Sequence, residues 1–197
     1  KKPNNQLISN NDVIYSDPEI FKIFREKNII KFIEDCLHSK IELQHSKLNS
    51  KPLNPNPGGL VAYHQDYPFY PHTNYDLISC IIHLDKSSKE TGALEFIPKS
   101  HKMGPLSHLD KNGNFAYECT ELRKIRSNKS VLLNAHRGMV SFHHCLTLHK
   151  SQPTIQKGLR RILVFQYRAI DAVQLSGIIR KSNGISVYKN QKIKNIK

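Results

Sequence analysis

The sequence contains no tryptophan, only two methionines and only four cysteines in 197 residues. Cys36, Cys80, Cys119 and Cys145 lie far apart and form no Cys-x-x-Cys pair. That spacing excludes a disulfide scaffold and a cysteine-ligated structural zinc, and it fits a reducing, cytoplasmic compartment. No run of about 18 apolar residues occurs, which excludes a transmembrane helix. No signal-type apolar segment follows the opening Lys1-Lys2-Pro3, and the missing initial Met reads as a piece of a longer protein. Acidic residues are scarce as well: sixteen Asp plus Glu face thirty Lys plus Arg, a formal charge of +14. What remains, 38 % hydrophobic residues in 22.7 kDa, suffices for one domain with its own core and not for two of normal size.

Such a surplus of positive charge invites a nucleic-acid partner, so its location decides. Residues 1–57 carry a net +2, 58–119 a net −2 and 120–168 a net +9, while 178–197 hold six bases and no acid. The histidine-rich centre is therefore near neutral, which argues against nucleic acid. The basic surplus suits either attraction of an anionic small molecule or simple solubility.

Apolar residues at helical spacing (Phe21, Phe24, Ile29, Phe32, Ile33, Cys36) predict a helix over 18–40, with Ser16 or Asp17 ahead of Pro18 as its cap. Short strands follow over 41–49, 60–66, 77–84, 93–97, 131–133, 139–145 and 159–168, punctuated by Gly and Pro, above all in the loop around Pro52–Gly59. This pattern predicts a mainly β domain over 1–177, a sandwich or barrel with flanking helix. A polar, lysine-rich, partly ordered tail is expected over 178–197.

One segment carries chemistry. In Val61-Ala62-Tyr63-His64-Gln65-Asp66 an extended strand would place His64 and Asp66 on one face, imidazole beside carboxylate. A third ligand would complete the two-histidine, one-carboxylate triad that holds non-haem Fe(II) with positions left open. His72, His83, His101, His108, His136, His143, His144 and His149 are all available. His149-Lys150-Ser151-Gln152-Pro153 ends a strand, and Arg160-Arg161 opens the next apolar one, from which an arginine could reach a carboxylate bidentately.

These residues together resemble a family. His64-Gln65-Asp66, then Thr91-Gly92-Ala93-Leu94-Glu95-Phe96-Ile97-Pro98-Lys99-Ser100-His101, then His149 with Ser151 and Pro153, then Arg160 eleven residues on, are similar to the motifs of the phytanoyl-CoA dioxygenase family. The resemblance covers about residues 41–175. It implies a double-stranded β-helix (jelly roll, cupin-like) and an Fe(II)- and 2-oxoglutarate-dependent hydroxylase that uses O2 on a small-molecule substrate. By the same resemblance His64, Asp66 and His149 would bind iron. Arg160, with Ser151 and Asn49, would hold 2-oxoglutarate, and His45 would either face the substrate pocket or sit in the core. Phe69 and Tyr70, by their place just after Asp66, either wall the substrate pocket or pack as ordinary loop. Adjacent His143 and His144 should point to opposite faces, so at most one can line the site. Lys99-Ser100-His101 is expected to fix a loop rather than bind metal. Lys150 stands where the family has glycine, and the 154–158 turn departs from the family pattern; both departures leave a catalytically silent binding domain as one rival reading, and the +14 balance leaves an oxygenase acting on a polyanion such as nucleic acid as another. The segment that relatives carry ahead of this region is expected to be incomplete here.

Overall fold

The computed structural model describes residues 8–53, 59–122, 129–155, 158–178 and 182–188. The loop expected around 54–58, residues 156–157 of the 154–158 turn and most of the basic tail lie outside these ranges. The chain runs β1 (Ile8–Asn11), α1 (Pro18–Ile23), α2 (Lys27–Leu37), β2 (Ile41–Leu53), β3 (Val61–His64), β4 (Leu77–His83), β5 (Leu94–Phe96), β6 (Val131–Leu132), β7 (Val140–His144), β8 (His149–Ser151), β9 (Gly158–Ala169) and β10 (Ile185–Ser186). Ten strands and two helices among the described residues make the mainly β domain with flanking helices that the sequence predicts.

Where one helix is expected over 18–40, two form. Asp17 caps α1 by accepting from the Glu19 amide at 2.7 Å, with Pro18 at the first position. The break follows because Glu26 leaves helical geometry (ψ 123°) and its carboxylate accepts from the Asn28 amide, restarting the helix. Arg25 lies over both Phe21 and Phe24, which closes the corner.

The strands form two antiparallel sheets. The larger has the order β1-β2-β9-β4-β7, with β10 also on β2; the smaller has the order β3-β8-β5-β6. This is the jelly roll implied by the resemblance. Strand alternation divides the large sheet into two faces. Ile78, Cys80, Leu163, Phe165 and Tyr167 face outwards under Ile29, Ile30 and Ile33 of α2 and form the main core. Ile81, Ile162 and Val164 face inwards against Leu94 of the small sheet. In β2 the register slips between Leu43 and His45. Leu43 is therefore in the outer core while His45, Lys47, Asn49 and Lys51 take the inner face. Two elements escaped the sequence pattern: β1 and β10, which lie end to end along the free edge of β2. Among the described residues no helix is long and apolar enough to cross a membrane, and the four cysteines form no disulfide.

Candidate functional site

His64 ends β3, and the chain then turns. Asp66 has φ −69° and ψ −37°, helical rather than extended values, so the two side chains do not converge by strand alternation as the sequence suggests. They converge because a short 3-10 turn (Tyr67–Phe69) starts at Asp66 and brings its carboxylate back towards the strand. Gln65 holds this turn from inside. Its Nε2 donates to Gly104 O (3.0 Å) and Leu146 O (2.8 Å), its Oε1 accepts from the Leu106 amide (2.8 Å), and its own amide donates to His108 Nε2 (3.0 Å). The middle residue of the motif, fully buried, is a structural pin.

Across the small sheet, His149 opens β8 directly opposite His64, with ring centroids 4.2 Å apart. Ser100 sets its approach: the hydroxyl accepts from the Leu148 amide at 2.7 Å and donates to Ile97 O. His64 Nδ1 donates to Ala62 O and His149 Nδ1 to Thr147 O, both at 2.9 Å. These bonds place each ring's lone pair on Nε2. Both Nε2 atoms lie 3.9 Å from Asp66 Oδ1, and the three ligand atoms are all within 4.8 Å of one another. The other carboxylate oxygen is already engaged: Oδ2 accepts from His143 Nε2 (3.0 Å) and from the Ser79 hydroxyl (2.8 Å). Burial lowers the pKa of His64 and holds that of His149 far below its ordinary value, so both present neutral imidazoles. Burial pushes the Asp66 carboxyl the other way, but the hydrogen bond donated by His143 is the largest opposing cause and the Lys47 ammonium adds to it, so the carboxyl lies well below its ordinary value.

The group faces a cavity of about 320 Å³ between the sheets. At the cavity's other end Arg160, 1 % exposed, donates from one Nη to Gly92 O at 3.1 Å. Its Nε and second Nη are buried with no partner. Gly92 can receive this bond because its φ is +77° and any Cβ would stand 2.7 Å from Gln152 O. Burial lowers the Arg160 pKa to about 10, which leaves it charged. Ser151 lines the same end, and its hydroxyl accepts from Lys51 Nζ at 2.7 Å; Lys51 also donates to Gln152 O. Asn49 borders the cavity with its Oδ1 buried and unpaired. Arg161 points to the opposite side and holds Asp85 at 2.8 and 2.9 Å.

Of the three candidates for the substrate border, Phe69 does line the cavity. His45 and Tyr70 are packed edge to face 5.0 Å apart and do not line it. His143 lines the cavity, and His144 turns away to face His101. Lys150 lies outside, paired with Glu95 at 3.3 Å and stacked over Tyr63, so its replacement of glycine leaves the histidine ring free. Ser79, Lys47, Lys51 and Tyr117 were missed. For Lys47 the signal was present, since it shares the two-residue parity of His45 and Asn49 on the expected strand; Lys51 lies beyond the expected strand end at 49, whereas β2 runs to Leu53.

Comparison with known proteins agrees with this geometry. The family described as phytanoyl-CoA dioxygenase (PhyH) matches residues 9–162. A Stutzerimonas stutzeri protein named "Probable alpha-ketoglutarate-dependent hypophosphite dioxygenase" is 34 % identical over 171 residues, covering 85 % of this chain and 58 % of its own length. The human "Phytanoyl-CoA dioxygenase, peroxisomal" is 25 % identical over 176 residues, covering 86 % of this chain and 52 % of its own. The chain thus spans about half the length of the curated relatives it matches. Among solved structures, the non-heme alpha ketoglutarate dependent carbocyclase SnoK from nogalamycin biosynthesis superposes with TM-score 0.76 at 17 % identity, covering 89 % of this chain and 70 % of that one. EctD from S. alaskensis with bound Fe gives 0.75 at 16 %, covering 91 % and 66 %.

Proposed function

The chain belongs to the phytanoyl-CoA dioxygenase family, and from that premise we propose that it is an Fe(II)- and 2-oxoglutarate-dependent dioxygenase. Its reaction is hydroxylation of an unactivated C–H bond of a small anionic substrate, with release of succinate and CO2. The observation that carries this reading is Arg160: a guanidinium sealed at one end of the cavity, two nitrogens unpaired, with a carboxylate-and-imidazole cluster in the same cavity. A buried cation without a partner is costly, and a dicarboxylate's far end meets that need.

Two neutral imidazoles and one carboxylate are the donor set that suits Fe(II), and His64, Asp66 and His149 would hold it. Bound there, the metal supplies the redox chemistry by which 2-oxoglutarate and O2 oxidise the substrate. The protein's own residues do the positioning. His143 and Ser79 occupy Asp66 Oδ2 and so present Oδ1 alone to the cavity. Ala62 and Thr147 carbonyls fix the tautomer and tilt of the two histidines. Arg160 orients the cosubstrate by its remote carboxylate, with Ser151 beside it: Lys51 donates to Ser151 Oγ and leaves the serine's proton free to donate onward. Phe69, Ile81, Leu94 and Val164 exclude water. The relative at 34 % identity is named for hypophosphite, a small anion with P–H and no C–H bonds, so its name supports the substrate's charge and not the kind of bond attacked.

Anaerobic titration of the protein with Fe(II) and then 2-oxoglutarate tests the reading. A visible metal-to-ligand charge-transfer band should grow and saturate, and Asp66→Ala should lose it. A wild-type protein that gives no band and forms no succinate in air refutes the proposal.

A further inference from the structure

One cation in the cavity is used neither by the triad nor by the cosubstrate anchor. Lys47 projects from the inner face of β2 into the space shared by His64, Asp66 and Phe69 and is half-buried. Its ammonium makes no hydrogen bond or ion pair among the described residues, in contrast to the other lysines that approach the sheets. Lys51 is held by Ser151 and Gln152, Lys150 by Glu95 and Lys40 by Glu34. Nor is Lys47 remote from the chemistry, since its charge bears on both His64 and Asp66.

Position separates Lys47 from the cosubstrate anchor. Lys51 is the cross-strand partner of Arg160, and Lys47 precedes it by four residues on the same face. On an extended strand that places Lys47 roughly 13 Å along from the anchor. Charge gives it a separate task as well. Arg160 and Fe(II) together would match Asp66 and a 2-oxoglutarate dianion, and Lys51 is satisfied by Ser151 and Gln152. Among the described residues this leaves Lys47 as the cation with neither counter-charge nor hydrogen bond in a partly desolvated site. Phe69 and Tyr117, ring centroids 6.3 Å apart, line the same cavity.

We propose that Lys47 is the specificity-determining residue of this site: its ammonium binds the anionic group, a carboxylate or phosphorus oxyanion, of a small substrate and holds it between the iron triad and the Phe69–Tyr117 wall. The inference rests on the oxygenase reading, and the experiment separates the two. Protein loaded anaerobically with Fe(II) and 2-oxoglutarate is titrated with hypophosphite, methylphosphonate and acetate, with acetamide as the neutral control, while the charge-transfer band is followed. At least one anion should perturb the band saturably in the wild type, and acetamide should not. Lys47→Met should weaken that anion roughly tenfold or more, as loss of one partner of a desolvated charge pair does. Lys47→Arg should retain most of the affinity, which distinguishes charge recognition from packing. Affinity for 2-oxoglutarate, read from the growth of the same band, should stay within about twofold of wild type in both variants. A weakened 2-oxoglutarate affinity in Lys47→Met would assign the lysine to the cosubstrate and overturn the proposal. So would a wild-type band that forms normally but ignores every anion, or an anion response that survives Lys47→Met. Failure of the band to form at all defeats the oxygenase reading first and this inference with it.

Discussion

Adjacent arginines at the start of β9 illustrate how burial assigns different tasks to like residues. Arg160 is sealed in with two free nitrogens, whereas Arg161 spends its guanidinium on Asp85 at the surface with its side chain 42 % exposed. Arg160→Ala should therefore weaken 2-oxoglutarate binding by about 30-fold or more, the cost of leaving a desolvated carboxylate unpaired. Arg161→Ala should leave it within about twofold and cost about 1 kcal/mol of stability at most, as exposed ion pairs do. Charge-transfer titration of both variants checks the contrast. Lys51 makes a second prediction. Burial, aided by the Arg160 charge, lowers its pKa from 10.5 to about 7. Between those values the unfolded chain binds a proton that the folded chain does not, so this group's contribution to stability rises with pH across that window. Urea unfolding of wild type and Lys51→Met at pH 7 and pH 9.5 should show the difference moving in the wild type's favour at the higher pH; a constant difference would mean the burial is not felt. At this scale the sequence named His64 and Asp66 as neighbours, but the strand alternation it relied on is replaced by the turn that starts at Asp66. His149 could be selected from eight histidines only through the family resemblance, and Lys51 went unread because a lysine after a strand looks like surface until its burial is seen.

At the scale of elements, the site depends on loops pinned from behind. The Gly92–His101 segment backs the site at three points: Gly92 O takes the Arg160 bond, Phe96 stacks on the His149 ring, and Ser100 takes the amide of Leu148, one residue before His149. Ser100→Ala leaves that amide buried and unpaired, at a cost of about 1–3 kcal/mol. Because the residue freed is the neighbour of a proposed ligand, Fe(II) affinity should fall with stability. Urea unfolding of the metal-free protein and anaerobic Fe(II) titration would report the two separately, and a loss of stability with unchanged Fe(II) affinity would show that β8 holds His149 without Ser100. Strands were the most legible elements: apolar pattern with Gly and Pro punctuation located β2 to β7 and β9 to within a few residues, whereas β8 was read only as the end of a strand at His149. The helix break at Glu26 was not legible, since the apolar spacing runs through it and only the local cap stops the helix. The turn at Asp66 was hidden for a related reason: Tyr67-Pro68 reads as loop, and nothing in the pattern says that the loop begins helically at the ligand itself. β1 and β10 are short edge strands fixed by pairing with β2 rather than by amphipathic pattern.

For the whole molecule, net charge and function separate once each base is located. Of the ten bases in 120–168, Arg160 is buried in the cavity, while Arg161, Lys150 and Arg168 are paired with Asp85, Glu95 and Glu42. The surplus that first suggests a polyanion partner is thus partly spent inside the fold. What the two sheets do instead is hold opposite ends of one site. His64 and His149 belong to the small sheet, with Asp66 just beyond β3, whereas Arg160 belongs to β9 of the large sheet. Fe(II) would therefore tie together elements on one side, and 2-oxoglutarate would bridge from them to the other sheet. Ligands that bind only the folded chain stabilise it by about 2.7 kcal/mol at a hundredfold excess over Kd, which for a chain of this size raises Tm by roughly 5–10 °C. Under anaerobic conditions the wild type should then melt in two increments, one on adding Fe(II) and a further one on adding 2-oxoglutarate. Asp66→Ala should lose both. Arg160→Ala should keep the first and lose most of the second, because its metal ligands are intact while the anchor on the large sheet is gone. If the second increment survives in Arg160→Ala, the cosubstrate is anchored elsewhere and the two sheets are not linked in this way.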